Sequence, residues 1–354
     1  SLMKKIFLES HHINNLNFGF GQFNYHLLKS LAHSNDHSFE MHMYCTDTKK
    51  YETEFNNFYK IKKYYSFHRY KISRIKKKFD LWHSMNQNSK IEPFYNTPYL
   101  LTIHNISHIK DVRNYKNLPN HISFQNKINK SNAIVYISEY AKQSTHQYFE
   151  VPDIPEYIVY NGNTIEKIEI PKNYELEITK DKPYFFTIGE ITERKNFISI
   201  VKMMSFFPEY NLIIAGKNTT NEAVKIKEYI KKNNLKNVFL IGKISELDKQ
   251  FLYNNSLGLL FPSLREGFGL PIIEAMSFGK PCFLSNNTCL PEIGGNLSFY
   301  WDNYNSEYMA DIVKKGLNTY NNNPNMKDLL IQRSNEFSWE NAANSYLKIY
   351  KSII

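Results

Sequence analysis

The second half of the chain alternates short apolar runs with amphipathic stretches at a regular spacing. The apolar runs are Pro183–Ile188, Asn211–Ala215, Val238–Ile241, Leu257–Phe261 and Pro281–Leu284. The stretches with helical periodicity lie between them, at Asn196–Ser205, Asn221–Lys232, Ser245–Tyr253 and Pro271–Phe278. Strands that alternate with helices in this way are typical of a parallel sheet covered by crossover helices.

The first half repeats this plan less regularly. Its predicted strands are Lys4–Leu8, Met41–Tyr44, Asp80–Trp82, Tyr99–Ile103, Ala133–Ile137 and Tyr157–Tyr160. Its predicted helices are Phe20–Ala32 and Glu139–Phe149. We therefore predict an α/β protein with two doubly wound, Rossmann-like domains that face a central cleft.

The segment Asn163–Lys182 separates the two halves. It is charged, contains Pro171 and has no clean period, so it is predicted to be a linker. After Ser338, apolar residues recur at helical spacing and predict a C-terminal helix. The predicted domains are residues 1–168 and 169–337, followed by the helix at 338–354.

The composition is that of a globular protein. Of the 354 residues, 42% are hydrophobic and 15% aromatic, which excludes a disordered chain, and 44 basic against 34 acidic residues give a net charge of +10. The longest apolar runs fall far short of the ~20 residues that a bilayer span needs. The apolar run after Met3 is too short for a signal peptide, and the three cysteines have no zinc spacing, so we expect a cytoplasmic protein.

Glycine residues occur where the strands of the second domain end. Ligands of open α/β sheets bind beyond the carboxyl ends of the strands. The loops expected there are Gly189–Lys195, Gly216–Thr220, Gly242–Ile244 and Ser263–Leu270. We therefore expect the functional residues of this domain in these four loops.

The last of these loops has the most informative residues. Gly267 and Gly269 allow a close approach of the backbone to a ligand, and Pro271 suits the first turn of a helix. The N–H groups of Gly269, Leu270 and Ile272 are expected to face outward at the positive end of the helix dipole, where an anion binds.

Two carboxylates, Glu266 and Glu274, are expected beside this anion site. Carboxylates are poor ligands for phosphate but good acceptors for the hydroxyl groups of a sugar or a ribose. An ordinary βα turn with surface glutamates is the alternative that a single Gly-x-Gly leaves open.

The string Pro262–Met276 resembles the Glu-x7-Glu signature of retaining glycosyltransferases of the GT-B fold, family 4, with Glu266 and Glu274 at its two glutamates. Further matches extend over nearly the whole chain: Gly19-Phe20-Gly21, Thr102-Ile103-His104-Asn105, Tyr136–Glu139, Val159–Gly162, Thr187-Ile188-Gly189 with Arg194-Lys195-Asn196, and Phe337–Glu340. The resemblance implies that a nucleotide-sugar binds the second domain and an acceptor the first, and that the C-terminal helix crosses back to the first domain.

The resemblance also implies a transfer that needs neither a metal nor a cofactor. Arg194, Lys195 and the amides between Gly267 and Ile272 would neutralise the diphosphate that leaves as the glycosidic bond breaks. The sequence contains no Asp-x-Asp that could hold a metal for this purpose. Taken alone, Arg194 and Lys195 could equally form a solvated basic turn before a helix at Asn196.

The family pattern assigns the remaining roles. Glu266 would bind the 3- or 4-hydroxyl of the sugar, Glu274 the ribose, and His104 the C6 end of the sugar. The implied donor-binding residues are Gly189, Gly216, Gly242, Ile244, Gly267, Phe268, Gly269, Leu270 and Glu274, and the implied acceptor loop contains Gly19 and Gly21. Retention of configuration would follow from front-face attack, with the departing phosphate oxygen accepting the proton.

Two positions depart from the family pattern. Asn105 stands where the cleft motif usually has Asp, and Glu190 stands where many relatives have Arg directly after the glycine. Because a carboxylate cannot bind phosphate, Arg194 and Lys195 are expected to supply the charge alone.

Other motifs favour no further chemistry. Gly19-Phe20-Gly21 lacks the third glycine of a dinucleotide fingerprint and lies too far after the first strand, so a dehydrogenase is not expected. No P-loop is present. His11 and His12 have no Cys or carboxylate cluster beside them in sequence and are interpreted as part of a solvated loop.

The stretch Lys60–Phe79 has nine Lys or Arg, no Asp or Glu, and five aromatic residues. Ile72, Ile75 and Phe79 fall at helical spacing, which predicts a basic amphipathic helix. Such a helix could dock on the anionic inner face of the plasma membrane and deliver a lipid-linked acceptor. It could also bind single-stranded nucleic acid, or simply pack with a solvated basic face.

These observations predict a retaining, metal-independent glycosyltransferase of polysaccharide or glycoconjugate synthesis. Its donor would be GDP-mannose or a UDP-sugar, and its acceptor a saccharide or a lipid-linked saccharide. The alternatives are an epimerase or phosphorylase of the same fold and, in a different class, a nucleic-acid-binding protein that uses Lys60–Lys78; no nucleic-acid partner is expected.

Overall fold

Parallel sheets form the centre of both halves of this computed structural model, which describes residues 2–16, 19–106 and 113–354. The chain divides into a first unit, Ser1–Gly162 with Ser338–Ile354, and a second unit, Asn163–Phe337. The boundary predicted at residue 168 lies inside the second unit. The Ile168 N–H donates to the Gln250 side chain at 2.9 Å, and Gln250 donates back to the Glu166 carbonyl at 2.9 Å, so the polar segment is bound to this unit rather than free.

The sheet of the first unit has seven strands among the described residues. They are β1 (Lys5–Leu8), β2 (Glu40–Cys45), β3 (Lys60–Lys63), β4 (Leu81–Ser84), β5 (Tyr99–Ile103), β6 (Ala133–Tyr136) and β7 (Glu156–Ile158). All are parallel, in the order β3-β2-β1-β4-β5-β6-β7. The strands β4 and β5 are buried along their whole length, because helices cover both faces of a parallel sheet.

The helices of this unit connect successive strands and cover the sheet. They are α1 (Gly19–His33), α2 (Thr48–Glu54), α3 (Pro119–Lys130), α4 (Glu139–Tyr148) and a C-terminal helix, Trp339–Ile353. The C-terminal helix contributes to the apolar core of this unit. It is also tied to the sheet, because the Tyr350 hydroxyl lies 2.7 Å from Nδ1 of His83 and the Tyr346 hydroxyl 3.0 Å from that of Thr102.

The second unit repeats the plan with six strands in the described part of the chain. They are β8 (Tyr184–Ile188), β9 (Asn211–Ala215), β10 (Val238–Gly242), β11 (Leu259–Phe261), β12 (Cys282–Ser285) and β13 (Phe299–Trp301), in the order β10-β9-β8-β11-β12-β13 and all parallel. The helices are α5 (Phe197–Met203), α6 (Asn221–Lys232), α7 (Glu246–Asn255), α8 (Leu270–Ser277), α9 (Leu290–Gly294), α10 (Ser306–Asn321) and α11 (Met326–Glu336). The prediction of two Rossmann-like parallel-sheet domains is confirmed.

The predicted helix in the basic stretch is wrong. Residues 60–63 form the edge strand β3, and Ser66–Arg69 and Lys71–Ser73 form short 3₁₀ turns. Ile75 and Phe79 are buried in a segment without regular secondary structure, whereas Ile72 is 88% exposed. Phe79 packs on the ring of Phe7 in β1, and this tertiary contact overrides the helical spacing. No helix of the described residues is long and apolar enough to cross a membrane.

Candidate functional site

Three of the predicted glycines lie at neighbouring strand ends of the second unit. β8, β9 and β10 are adjacent, and Gly189, Gly216 and Gly242 stand at their carboxyl ends. The Gly189 N–H donates to the Ala215 carbonyl at 3.0 Å, and the Gly216 N–H donates to the Gly242 carbonyl at 2.8 Å. These bonds continue the sheet beyond its strands and bring the three loops together. Ile244, half-buried, follows Gly242 and precedes α7.

The structure brings Glu266, Arg194 and Lys195 into one ion-pair cluster. Lys195 Nζ donates to Glu266 Oε1 at 2.5 Å, and Arg194 Nη1 lies 3.2 Å from the same oxygen. Ser263 Oγ donates to it at 2.8 Å, a contact that sequence analysis missed because serine after a strand is common. Residues from the loops after β8 and β11 thus meet at one carboxylate oxygen.

Two strong opposing effects act on the Glu266 carboxyl. Its burial alone would raise its pKa, but the positive charges of Lys195 and Arg194 hold the pKa below the usual value for Glu. The carboxylate is therefore ionised, and two cations face one anion. The side chain of Lys195 is only 12% exposed, so the alternative of a fully solvated basic turn does not describe it.

Backbone contacts fix the position of the basic pair. Asn196 adopts a left-handed conformation with φ of 55° before α5, and its side-chain amide donates to the Pro262 carbonyl at 3.1 Å. The Leu264 N–H donates to the Arg194 carbonyl at 2.8 Å. The asparagine is well suited to this conformation. It locks the loop after β8 to the loop after β11, where Glu266 lies.

The start of α8 differs in one respect from the predicted anion site. Gly269 precedes the helix with φ of +100°, a conformation that favours glycine. However, the Ile272 N–H donates to the Gly269 carbonyl at 3.0 Å, so the prediction that it faces outward for an anion is wrong. It is satisfied within the first turn of the helix. The Cys289 thiol lies 3.3 Å from the carbonyls of Glu266 and Phe268, and thereby supports the loop.

Glu274 lies one turn into α8 and is also buried. The Tyr253 hydroxyl donates to its Oε2 at 2.8 Å, and Lys249 Nζ lies 3.9 Å from its Oε1. Burial raises the pKa of Glu274 above its usual value, although Lys249 and Tyr253 act in the opposite direction. Both partners come from α7 and were missed, because neither belongs to a motif.

His104 follows β5 in the first unit and is buried. Its Nε2 donates to the Met85 carbonyl at 2.9 Å, and its N–H donates to the Gln87 side chain at 3.0 Å. Burial lowers the pKa of His104 to about 4, so the imidazole is neutral and Nδ1 is its acceptor nitrogen. The rings of Phe20 and Phe23 pack edge-on against it and fix its orientation.

The interpretation of His11 as part of a solvated loop is wrong. Its side chain is 16% exposed and forms an ion pair through Nδ1 with Glu9, which is completely buried. Burial alone would raise the pKa of Glu9, but chiefly the charge of His11 lowers it to about 2. The available signal was a carboxylate directly after a buried strand, at the end of the sheet where ligands bind.

The glycines of the predicted acceptor loop lie at the start of α1. A Cβ atom on Gly19 would meet nothing within 4 Å, whereas one on Gly21 would lie 1.9 Å from the Asn15 carbonyl oxygen. Gly21 therefore allows the segment after β1, which contains His11 and His12, to contact α1.

Comparisons with known proteins agree with this architecture. Residues 171–332 match the family model described as glycosyl transferases group 1. The chain is 27% identical to O-antigen chain mannosyltransferase B of Escherichia coli over 174 residues, which cover 48% of this chain and 45% of that protein. It is 26% identical to the serotype-specific mannosyltransferase WbdA of Escherichia coli over 271 residues, 71% of this chain and 33% of that protein. The matched stretches thus span less than half of these relatives.

The structure of HepE from Anabaena in complex with UDP-glucose shows the same fold. It superposes with a TM-score of 0.71 over 99% of this chain and 100% of HepE, at 14% sequence identity. The likeness at this low identity shows that the chain adopts the GT-B arrangement of strands and helices in each unit.

Proposed function

Because residues 171–332 match the group 1 glycosyltransferases, we propose that the protein transfers a sugar from a nucleoside-diphosphate-sugar to an acceptor. The observation that supports this most directly is the cluster of Glu266, Lys195 and Arg194 at the carboxyl ends of the strands. Two cations share one carboxylate there, so positive charge remains for a diphosphate. The acceptor is a saccharide or a lipid-linked saccharide in surface polysaccharide synthesis, in line with the two O-antigen and serotype mannosyltransferases.

The role of Arg194 and Lys195 in this proposal is to stabilise the leaving diphosphate. Negative charge grows on it as the glycosidic bond breaks, and cations held in place stabilise that change without reorganisation. Arg194 offers a planar fork and Lys195 a point charge. We propose that these side chains, with the amides of Gly269 and Leu270, perform the transfer without a metal and with retention by front-face attack.

In this proposal, each of the other residues binds a different part of the donor. Glu274 binds the ribose hydroxyls, and the backbone from Gly242 to Ile244 borders the base. Glu266 binds a sugar hydroxyl, and Nδ1 of the neutral His104 accepts from the C6 end of the sugar. The Arg194-Lys195-Asn196 motif and the mannosyltransferase relatives favour GDP-mannose, and a UDP-sugar is the competing donor.

A thermal-shift series with GDP, UDP and ADP and their sugars tests the donor, because a ligand that binds only the folded state raises the melting temperature. The matching donor is then assayed for hydrolysis and transfer in the presence of EDTA. Activity that persists in EDTA, and falls about a hundredfold or more in Lys195→Ala and Glu266→Ala, supports the proposal. Lys315→Ala is the control, since Lys315 is 73% exposed on α10.

Several outcomes contradict parts of the proposal. Unchanged activity in both site variants refutes the assignment of the site, and loss of activity in EDTA refutes metal independence. Release of an epimerised nucleotide-sugar, or a strict requirement for inorganic phosphate, indicates the epimerase or phosphorylase alternative. Inversion of the anomeric centre, observed by NMR of the product, refutes retention.

We further propose that the basic stretch docks the protein on an anionic membrane surface. Residues 65–72 expose Tyr65, Phe67, Tyr70 and Ile72 by 47%, 49%, 58% and 88%. Basic groups lie over these rings, with Lys63 Nζ 5.6 Å from the Tyr65 centroid and the Arg69 guanidinium 5.0 Å from that of Tyr70. Aromatic and aliphatic side chains that insert at the interface, surrounded by cations, suit anionic lipid headgroups.

Flotation with phosphatidylglycerol vesicles, compared with phosphatidylcholine vesicles, tests this docking. We expect salt-sensitive binding to the anionic vesicles only, weakened at least about fivefold by Lys71→Glu and by Ile72→Asp. Lys231→Glu on the exposed face of α6 is the control for charge. Absence of vesicle binding contradicts the proposal, and tight, salt-dependent binding to single-stranded RNA would favour the nucleic-acid alternative.

A further inference from the structure

The first unit buries an ion pair, Glu9 with His11, that lies apart from the residues proposed to bind the donor. Glu9, directly after β1, has an exposure of 0%, and its Oε2 accepts from the Met85 N–H at 3.2 Å. Its Oε1 pairs with Nδ1 of His11. A buried ion pair is costly to form and contributes little to stability compared with apolar packing. A functional use of the pair is therefore worth testing.

Three further aromatic rings, those of His12, Tyr64 and Phe20, lie around this pair at the carboxyl end of the sheet. The His11 ring lies 3.9 Å from that of His12 and 5.4 Å from that of Tyr64, and the His12 ring lies 6.1 Å from that of Phe20. All four rings are half-buried, so each presents some surface to solvent. Glu9, His11 and His12 follow β1, and Tyr64 follows β3. A small molecule can therefore reach an imidazole that is bordered by ring faces.

The segment that holds the pair is fixed by contacts to its neighbours. The Asn24 side chain of α1 donates to the Glu9 carbonyl at 3.0 Å, and the Ser10 hydroxyl donates to the Tyr44 carbonyl at 3.0 Å. Gly21 lets the segment approach α1 more closely than any side chain would allow. The imidazole is thus held in place before any ligand arrives, as a binding group needs to be.

The contact with Glu9 determines what His11 can do. A carboxylate on Nδ1 fixes the ring orientation and keeps a proton on that nitrogen. It also raises the pKa of His11 through its charge and hydrogen bond, against the effect of burial. Nε2 is the ring nitrogen on the side opposite to Glu9, and in the charged ring it is a hydrogen-bond donor.

We propose that His11 binds a hydroxyl oxygen of the acceptor saccharide through Nε2–H, with Glu9 as the positioning residue behind it and the faces of His12 and Tyr64 against the sugar ring. This inference rests on the proposed glycosyl transfer and assigns its acceptor side. It requires no proton transfer to His11, because the departing phosphate accepts the acceptor proton in the proposed reaction.

The test separates acceptor binding from donor chemistry. Donor hydrolysis, and transfer to p-nitrophenyl glycosides of mannose, glucose, galactose, N-acetylglucosamine and rhamnose, are measured for the wild type, His11→Gln and Glu9→Gln. His37→Gln is the matched control, because His37 is exposed in the same unit. In His11→Gln we expect the acceptor KM for the best glycoside to rise about tenfold to a hundredfold, the value of one charged hydrogen bond. Donor hydrolysis should change by less than about twofold, since water needs no such contact.

A double variant tests whether Glu9 acts through His11. If it does, Glu9→Gln/His11→Gln has the same acceptor KM as His11→Gln alone. His11 is partly exposed, so His11→Gln is expected to fold even if Glu9→Gln does not. If the wild type transfers the sugar and the acceptor KM of His11→Gln is unchanged, the role of His11 is refuted, whereas the proposed function stands. A wild type that uses no nucleotide-sugar overturns the proposed function, and the inference with it.

Discussion

Each unit has a buried carboxylate in a loop that follows a strand of its parallel sheet, Glu9 in the first unit and Glu266 in the second, but the two carboxylates have different positive partners. Glu266 in the second unit meets the permanent charges of Lys195 and Arg194. Glu9 in the first unit meets His11, whose charge depends on pH. The carboxyl ends of two similar sheets thus carry buried carboxylates whose positive partners differ in kind.

The difference corresponds to the two proposed ligands. A diphosphate is an anion at every physiological pH, and it needs cations that remain charged when its leaving oxygen becomes more negative. A saccharide hydroxyl is neutral and needs a directed donor, which an oriented imidazole provides. Positive charge exceeds negative charge around Glu266, while the Glu9 pair is balanced.

Of the two units, the second should lose more stability when a cation is removed from its buried carboxylate. Lys195→Met leaves the buried Glu266 with Arg194 and Ser263 only, and we expect a loss of about 3 kcal/mol in the free energy of unfolding. Urea unfolding measures this loss, and Lys315→Met provides the control on an exposed helix face. A loss below about 1 kcal/mol would mean that Arg194 compensates the carboxylate by itself, and that the two cations are not both needed for stability.

A smaller loss of stability is expected from a substitution in α1 that displaces the segment containing Glu9 and His11. The Cβ atom of Gly21→Ala would lie 1.9 Å from the Asn15 carbonyl oxygen, so we expect a loss of about 2 kcal/mol from overpacking. Gly19→Ala is the matched control, because a Cβ there meets nothing within 4 Å. Thermal unfolding of both variants distinguishes them, and equal melting temperatures would show that α1 does not hold this segment.

Much of the fold could be predicted because buried parallel strands are continuous apolar runs. β5 and β9 agree with the prediction residue by residue, since both are buried along their whole length. The strand β3, with the sequence Lys-Ile-Lys-Lys, was missed because an edge strand can be charged and exposed. The three-residue edge strand β13 was too short to be recognised.

The site was predictable where a motif fixes the residues, and not where tertiary contacts do. Glu266, Arg194 and Lys195 stand in recognisable strings, although their direct contact could not be predicted from sequence. The pairing of Glu274 with Tyr253 and Lys249 depends on how α7 packs on α8. The pairing of Glu9 with His11 depends on the burial of both side chains. A sequence with two polar residues at positions i and i+2 does not indicate that burial.

The smallest expected effect is a dependence on pH that only the first unit should show. The folded pKa of His11 is raised above its usual value, so its charge contributes stability that is complete below about pH 6.5 and is lost as the pH rises through the folded pKa. His11→Gln should therefore lose about 1 kcal/mol at pH 6, the difference between a charged and a neutral hydrogen bond, and less at pH 8. The loss in Lys195→Met should stay constant over this range, because the pKa of Glu266 is held below its usual value and its carboxyl is ionised throughout. Urea midpoints at pH 6, 7 and 8 measure both series, and a loss in His11→Gln that does not diminish with pH would contradict the charged state assigned to His11.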